Sequence, residues 1–175
     1  MVLVVEHDPA WAAGFAKEAA AIHTALGAEA IELYHIGSTS VPGLVAKPIL
    51  DLLGEVADLA AVDAATAQFE ALGYEVMGEL GIPRRRYFRK MDAAGQRSHH
   101  LHVFERGSAH VVRHLAFRDY LRAHPEVAAD YGALKRQLIA EGRGDWEAYI
   151  DGKDAFVQRV EAEALAWARG RLGSI

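Results

Sequence analysis

The chain has 175 residues, 51% of them hydrophobic and 25% charged, with a net charge of −5. That length suits one domain with a single core, and the acidic balance argues against nucleic-acid binding through overall charge. The absence of cysteine excludes disulfides and thiolate chemistry, so any metal site must be built from His, Asp or Glu.

No stretch approaches the roughly 18 apolar residues of a membrane span. The opening MVLVVEHDP lacks the basic start of a cleaved signal. A cytoplasmic protein with no membrane partner is the expectation.

Residues 2–5 form a short β-rich run. Asp8-Pro9 then reads as a helix cap followed by proline at the first helical position, and the helix runs through WAAGFAKEAAAIHTAL to Gly27. AIELYHI (30–36) alternates as a strand does. PILDLL (48–53) is a buried strand by its apolar run. Residues 60–72 are helical up to Gly73, and YEVM follows as a short strand. RRRYFRK and RSHHLHVFE are two antiparallel strands joined by the turn-rich MDAAGQ. Beyond Gly107 three helical segments follow, the first two separated at Pro125 because the residue before proline resists the α region. The pattern predicts an α+β domain over 1–175, with a mixed sheet in 1–106 and a helical tail in 107–175.

Four constellations carry chemistry. Gly37-Ser38-Thr39-Ser40 after a strand offers backbone N–H groups and hydroxyls, which suits either an ordinary turn or a phosphate cradle. It is not a Walker loop. Asp51 stands among aliphatics in PILDLL, where a carboxylate is costly unless paired or bound to metal. Lys47 is a candidate partner for Asp51, or a phosphate ligand.

His100 and His102 share one strand face and converge as metal ligands would, imidazole suiting zinc or manganese better than magnesium. In the strand before them, alternation groups Arg84, Arg86, Phe88 and Lys90 on one face and Arg85, Tyr87 and Arg89 on the other. One set either faces the histidines and binds phosphate or guards a solvated edge. In the helical region Arg118 and Arg122 share a face, as do His110 and His114. Asp119 is expected in salt bridges, and Phe117, Tyr120 and Tyr131 in the core.

Taken together, HDPAW (7–11), HIGSTSVPGLVAKPILDLL (35–53), GIPRRRYFRK (81–90), HLHV (100–103) and RHLAFRDYLRAHPEVAADYGALK (113–135) resemble the GrpB family, also called UPF0157. The resemblance implies the nucleotidyltransferase superfamily, the fold of DNA polymerase β and the aminoglycoside nucleotidyltransferases. It also brings a family fused in some bacteria to dephospho-CoA kinase. The superfamily pattern is a GS turn followed by a strand with two acids as DxD and a third acid on a neighbouring strand. These acids hold two divalent cations.

Gly37-Ser38 matches the GS turn and Asp51 the first acid, but the second-acid position is Leu53. Glu55 has the right parity yet lies roughly 6–7 Å further along the strand. The resulting expectation is a nucleotidyltransferase-like protein acting on a nucleotide or other phosphate-containing small molecule. Asp51 is its catalytic residue, and Asp51, His100 and His102 hold a divalent cation (Mg, Mn or Zn). Gly37, Ser38, Ser40, Lys47, Arg86 and Lys135 meet the phosphates. The alternative, favoured by Leu53, is a nucleotide- or CoA-like-ligand-binding module without turnover.

Overall fold

The computed structural model describes residues 3–142 and 145–173. These group into two compact units. One comprises Pro9–Gly37 and Ile49–Val111, the other Met1–Asp8, Ser38–Pro48 and Val112–Ile175. The second unit thus combines most of the helical C-terminal part with two earlier segments of the chain.

The first unit carries the sheet. Helix α1 (Ala10–Leu26) is followed by strand β1 (Glu32–Ile36), β2 (Leu50–Val56), the short helices α2 (Leu59–Ala64) and α3 (Thr66–Ala71), and strands β3 (Tyr74–Val76), β4 (Arg86–Met91) and β5 (Arg97–Glu105). The strand order is β1-β2-β5-β4-β3. Only the β2–β5 pair is parallel; its neighbours β1–β2, β4–β5 and β3–β4 are antiparallel. The single helix expected over 60–72 is two helices, broken at Ala65. Asp58 caps the first by accepting from the Ala60 N–H at 2.8 Å, which satisfies one of the donors a helix start leaves open. α1 begins at Ala10 with Pro9 in the capping position, one residue later than the sequence suggests.

Strand alternation separates two faces. One is closed by α1, α2 and α3. Phe69 of α3 stacks on Phe88 of β4 with ring centroids 4.2 Å apart, Phe15 of α1 stacks on His35 of β1 at 5.0 Å, and Leu52 and Leu101 are fully buried. Gly54 has no room for a side chain, since a Cβ would come within 2.7 Å of Ile31. The opposite face carries Asp51, Leu53, Tyr87, His100 and His102.

The helix-covered face also buries an acid. Glu18 of α1 accepts from the Tyr74 hydroxyl at 2.8 Å and from Lys90 Nζ at 2.9 Å, with His99 Nε2 3.7 Å away. Burial pushes the Glu18 carboxyl up, but the bonds from Lys90 and Tyr74 and the charges of His99 and Lys90 hold it below the ordinary glutamate value.

The second unit is built from α4 (Ala109–Ala123, from Val112 onward), α5 (Pro125–Ala140) and α6 (Trp146–Leu172). Pro125 opens α5 at its first turn, where a missing N–H costs nothing. The core joins Val41, Leu44, Leu121, Ala128, Tyr131 and Val160, with Phe117 and Tyr120 partly buried against it. The aromatic residues are thus in the core, and Asp119 pairs with Arg118 at 2.8 Å, both as the sequence suggests. Of the predicted N-terminal β run, Val5 forms a bridge with Ala46, while Val2 lies outside the described residues. No helix among the described residues is long and apolar enough to cross a membrane.

The Glu18 network gives a stability prediction. Glu18→Ala leaves Lys90 and a buried phenol without their acceptor and should cost about 3 kcal/mol at pH 7 in urea denaturation. Because the native carboxyl is depressed, the stabilisation is fully present above the ordinary glutamate pKa and is lost as pH falls below that value and through the lower folded one. The gap between wild type and Glu18→Ala should therefore shrink towards pH 3.

Candidate functional site

The end of β1 and the start of β2 set the geometry of the sheet unit's polar centre. In the register, Ile36 faces Asp51, and on the other side of β2 Asp51 faces His100 and Leu53 faces His102. Gly37, the next residue after β1, takes φ +72, and a Cβ there would lie 2.7 Å from Asp51 Oδ2. Glycine is required twice over, for the left-handed backbone and for the close approach to the carboxylate.

Asp51 Oδ1 lies 3.3 Å from His100 Nδ1 and 3.6 Å from His102 Nε2, with 30% of the Asp51 side chain exposed. Its surroundings push the carboxyl up through desolvation, but His100 and His102, by hydrogen bonding and charge, outweigh this and hold it far below the usual carboxylate range. Asp51 is therefore a carboxylate at any physiological pH. The Nε2 atom of His100 is buried without a hydrogen-bond partner, which is uncommon for a polar atom inside a protein.

Tyr87 of β4 pairs with His102 in the register. Its ring centroid lies 5.7 Å from that of His100 and 5.2 Å from that of His102. On the ring sits the guanidinium of Arg85, 4.9 Å from the centroid. Arg85 itself donates to the carbonyls of Glu79 (3.1 Å) and Leu80 (2.8 Å), in a loop where Leu80 and Arg84 adopt positive φ.

The structure brings Asp51, His100 and His102 together as the alternation suggests, but Arg86 does not join them. The Tyr87–His102 pairing turns the odd-numbered residues of β4 towards the histidines. Arg86 lies on the helix-covered face, in a two-point ion pair with Asp63 at 2.6 and 2.9 Å. Arg86 therefore does not share the face of the histidines. The other cations of this stretch are engaged as well. Arg84 pairs with Glu105, Arg89 with Glu75 at 2.6 and 3.0 Å, and Lys90 with Glu18.

The remaining expected residues lie in the second unit. Ser38–Ser40 form one turn of 3-10 helix. Lys135, 2% exposed, donates to Ser38 Oγ and, at 3.1 Å, to the Val45 carbonyl. Arg122 donates to the Ser40 carbonyl at 2.8 Å, and Ser40 is itself buried. Lys47 lies over the Trp146 ring, 3.5 Å from its centroid. In these positions Lys135 and Arg122 tie segment 38–48 to α5 and α4.

Divalent cations, which the fold family implies, need a fitting donor set. Both histidines address the same oxygen of Asp51, and the next residue on that face of β2 is Leu53, fully buried. Among the described residues no group of three or more His, Asp or Glu is arranged to hold a metal ion. The residues present do not fit a two-cation clamp, nor do they form a single-ion site as they stand.

Comparison with known proteins agrees with this architecture. The GrpB family profile, described as GrpB protein, matches residues 1–163. The chain belongs to the GrpB family. UPF0157 protein YqkA of Bacillus subtilis is 43% identical over 170 residues, 97% of this chain and 49% of YqkA, so the chain spans about half of that relative. A crystal structure of GrpB from Enterococcus faecalis aligns with a TM-score of 0.88 at 43% identity, covering 95% of this chain and 99% of that one. A dephospho-CoA kinase of Mycolicibacterium paratuberculosis is 28% identical over 190 residues, 95% of this chain and 47% of the kinase. Cid1 in complex with its short product ApU aligns with a TM-score of 0.54 at 13% identity over 76% of this chain and 42% of Cid1. That likeness is one of fold: the mixed sheet with its helices is the polymerase β-like nucleotidyltransferase fold.

Tyr87 is the residue of this GrpB site that sequence alone does not single out: it is visible in the alternation of β4, but only the register shows which parity meets the histidines. On the other face of the sheet, Glu18 lies on α1 with no local signal of its buried partners.

The Gly37–Asp51 contact is testable. Gly37→Ala strains the backbone and pushes on the carboxylate, and should cost about 1–3 kcal/mol of stability in thermal melts. Gly43→Ala gives a control: Gly43 has a similar φ of +78 with nothing near its missing Cβ. If Gly37→Ala costs no more than Gly43→Ala, the contact carries no constraint.

Proposed function

We propose that this GrpB chain binds a nucleotide or a nucleotide-derived cofactor of the CoA class, and that Asp51, with His100 and His102, meets the ligand. The observation that carries the reading is the Asp51 centre itself. An ionised, part-exposed carboxylate stands among the leucines of β2 beside two imidazoles of β5. Such a group is expensive to keep inside a sheet and is retained where it has a task. The nucleotidyltransferase fold supports a nucleotide as the ligand, and the relative named dephospho-CoA kinase supports a CoA-like one.

Transfer of a nucleotidyl group with a divalent cation is the second reading, and Asp51 at the first-acid position favours it. Leu53 weighs against it, because an apolar residue at the second-acid position removes a ligand of the clamp.

Calorimetry with ATP, UTP and dephospho-CoA separates the two. The binding reading expects one of these to bind in EDTA, Asp51→Asn to weaken that binding about tenfold or more, and no labelled product to form over hours with Mn²⁺ or Mg²⁺. Binding that appears only with metal, accompanied by a transferred label, would establish the second reading instead.

A further inference from the structure

Asp51 and its neighbours differ from a phosphate site in their chemistry. A carboxylate held ionised repels a phosphoryl group unless a cation stands between them. The cations of β4 and the residue before it that could offset this are already engaged, Arg85 by two carbonyls, Arg86 by Asp63 and Arg89 by Glu75. What an ionised carboxylate does bind directly is an O–H donor.

Tyr87 supplies the complementary half. The residue is 7% exposed, its ring lies against both histidines, and the Arg85 guanidinium packs on it. All the contacts of Tyr87 among the described residues are through its ring or its backbone, so its hydroxyl makes no hydrogen bond there. The hydroxyl oxygen itself is not shut off from solvent, so it is open to a partner from outside the protein. Here the phenol and the buried, unpartnered Nε2 of His100 belong to the same cluster as the carboxylate. The arrangement lacks one small group able both to donate and to accept, and an alcohol is such a group.

We infer that the sheet unit's site reads a hydroxyl group of the ligand, a ribose-type alcohol, with Asp51 accepting its hydrogen and Tyr87 donating to its oxygen. This rests on the nucleotide reading for the identity of the whole ligand, though not for the hydroxyl recognition itself. Tyr87 becomes a ligand-binding residue, and Arg85 positions it by packing on its ring. The step is recognition only; no bond forms or breaks.

The test compares ATP with 2′,3′-dideoxy-ATP by calorimetry in EDTA, on wild type and on Tyr87→Phe, which keeps the ring and loses only the hydroxyl. Thermal melts check that the variant is folded. Wild type should prefer ATP about tenfold, and Tyr87→Phe should erase most of that preference by weakening ATP alone. Equal binding of the two nucleotides by wild type, or equal weakening of both by Tyr87→Phe, overturns the inference while leaving nucleotide binding intact. If ATP does not bind, UTP against 2′,3′-dideoxy-UTP replaces it; if none of ATP, UTP and dephospho-CoA binds, the nucleotide reading falls, and titration with D-ribose decides the hydroxyl proposal. Saturable shifts of the His100 and His102 imidazole NMR signals, lost in Tyr87→Phe, uphold it; their absence in wild type refutes it.

Discussion

The parallel pairing of β2 with β5 is the constraint from which the sheet unit's polar centre follows. It places Asp51 opposite His100 and Leu53 opposite His102, so a carboxylate and two imidazoles meet on one face of a sheet whose other face is closed by α1, α2 and α3. The antiparallel neighbours extend the arrangement. β1 ends at Ile36 opposite Asp51, delivering Gly37 against the carboxylate, and β4 sets Tyr87 beside His102. A one-residue slip of β5 would turn both histidines to the helix-covered face.

The charge balance is the second organising feature. The basic stretch of β4 has the look of an anion-binding surface in the sequence, yet its cations are matched by acids from other elements. Asp63 comes from α2, Glu75 from β3, Glu18 from α1 and Glu105 from β5. In the helical unit, Lys135 and Arg122 are likewise spent on segment 38–48. The part-exposed carboxylate–imidazole group is therefore left as a centre suited to hydrogen bonding with an uncharged polar group more than to phosphate neutralisation.

The elements were largely legible in the sequence, because glycines, prolines and apolar periodicity mark most of their ends. The division into units was not, since segment 38–48 is read locally as a loop and finds its partners about 80 to 97 residues later, at Arg122 and Lys135. The convergence of Asp51 with His100 and His102 was legible from alternation alone, once the two strands were taken as neighbours. The placement of Arg86 was not, because parity divides a strand into two faces without saying which face meets which partner. Lys135 shows the same limit from another side. A lysine on a helix reads as solvent-facing or ligand-facing, and its burial against Ser38 and a carbonyl depends on tertiary contacts that no local pattern encodes.

Asp51 meets the ligand either directly or through a cation. A crystal of the protein soaked with ATP and Mn²⁺, with data collected for the manganese anomalous signal, decides between them. A ligand oxygen within hydrogen-bonding distance of Asp51, about 2.6–3.2 Å, with no manganese at that carboxylate, is the predicted result. A manganese peak about 2.0–2.3 Å from Asp51 and a histidine nitrogen would contradict it.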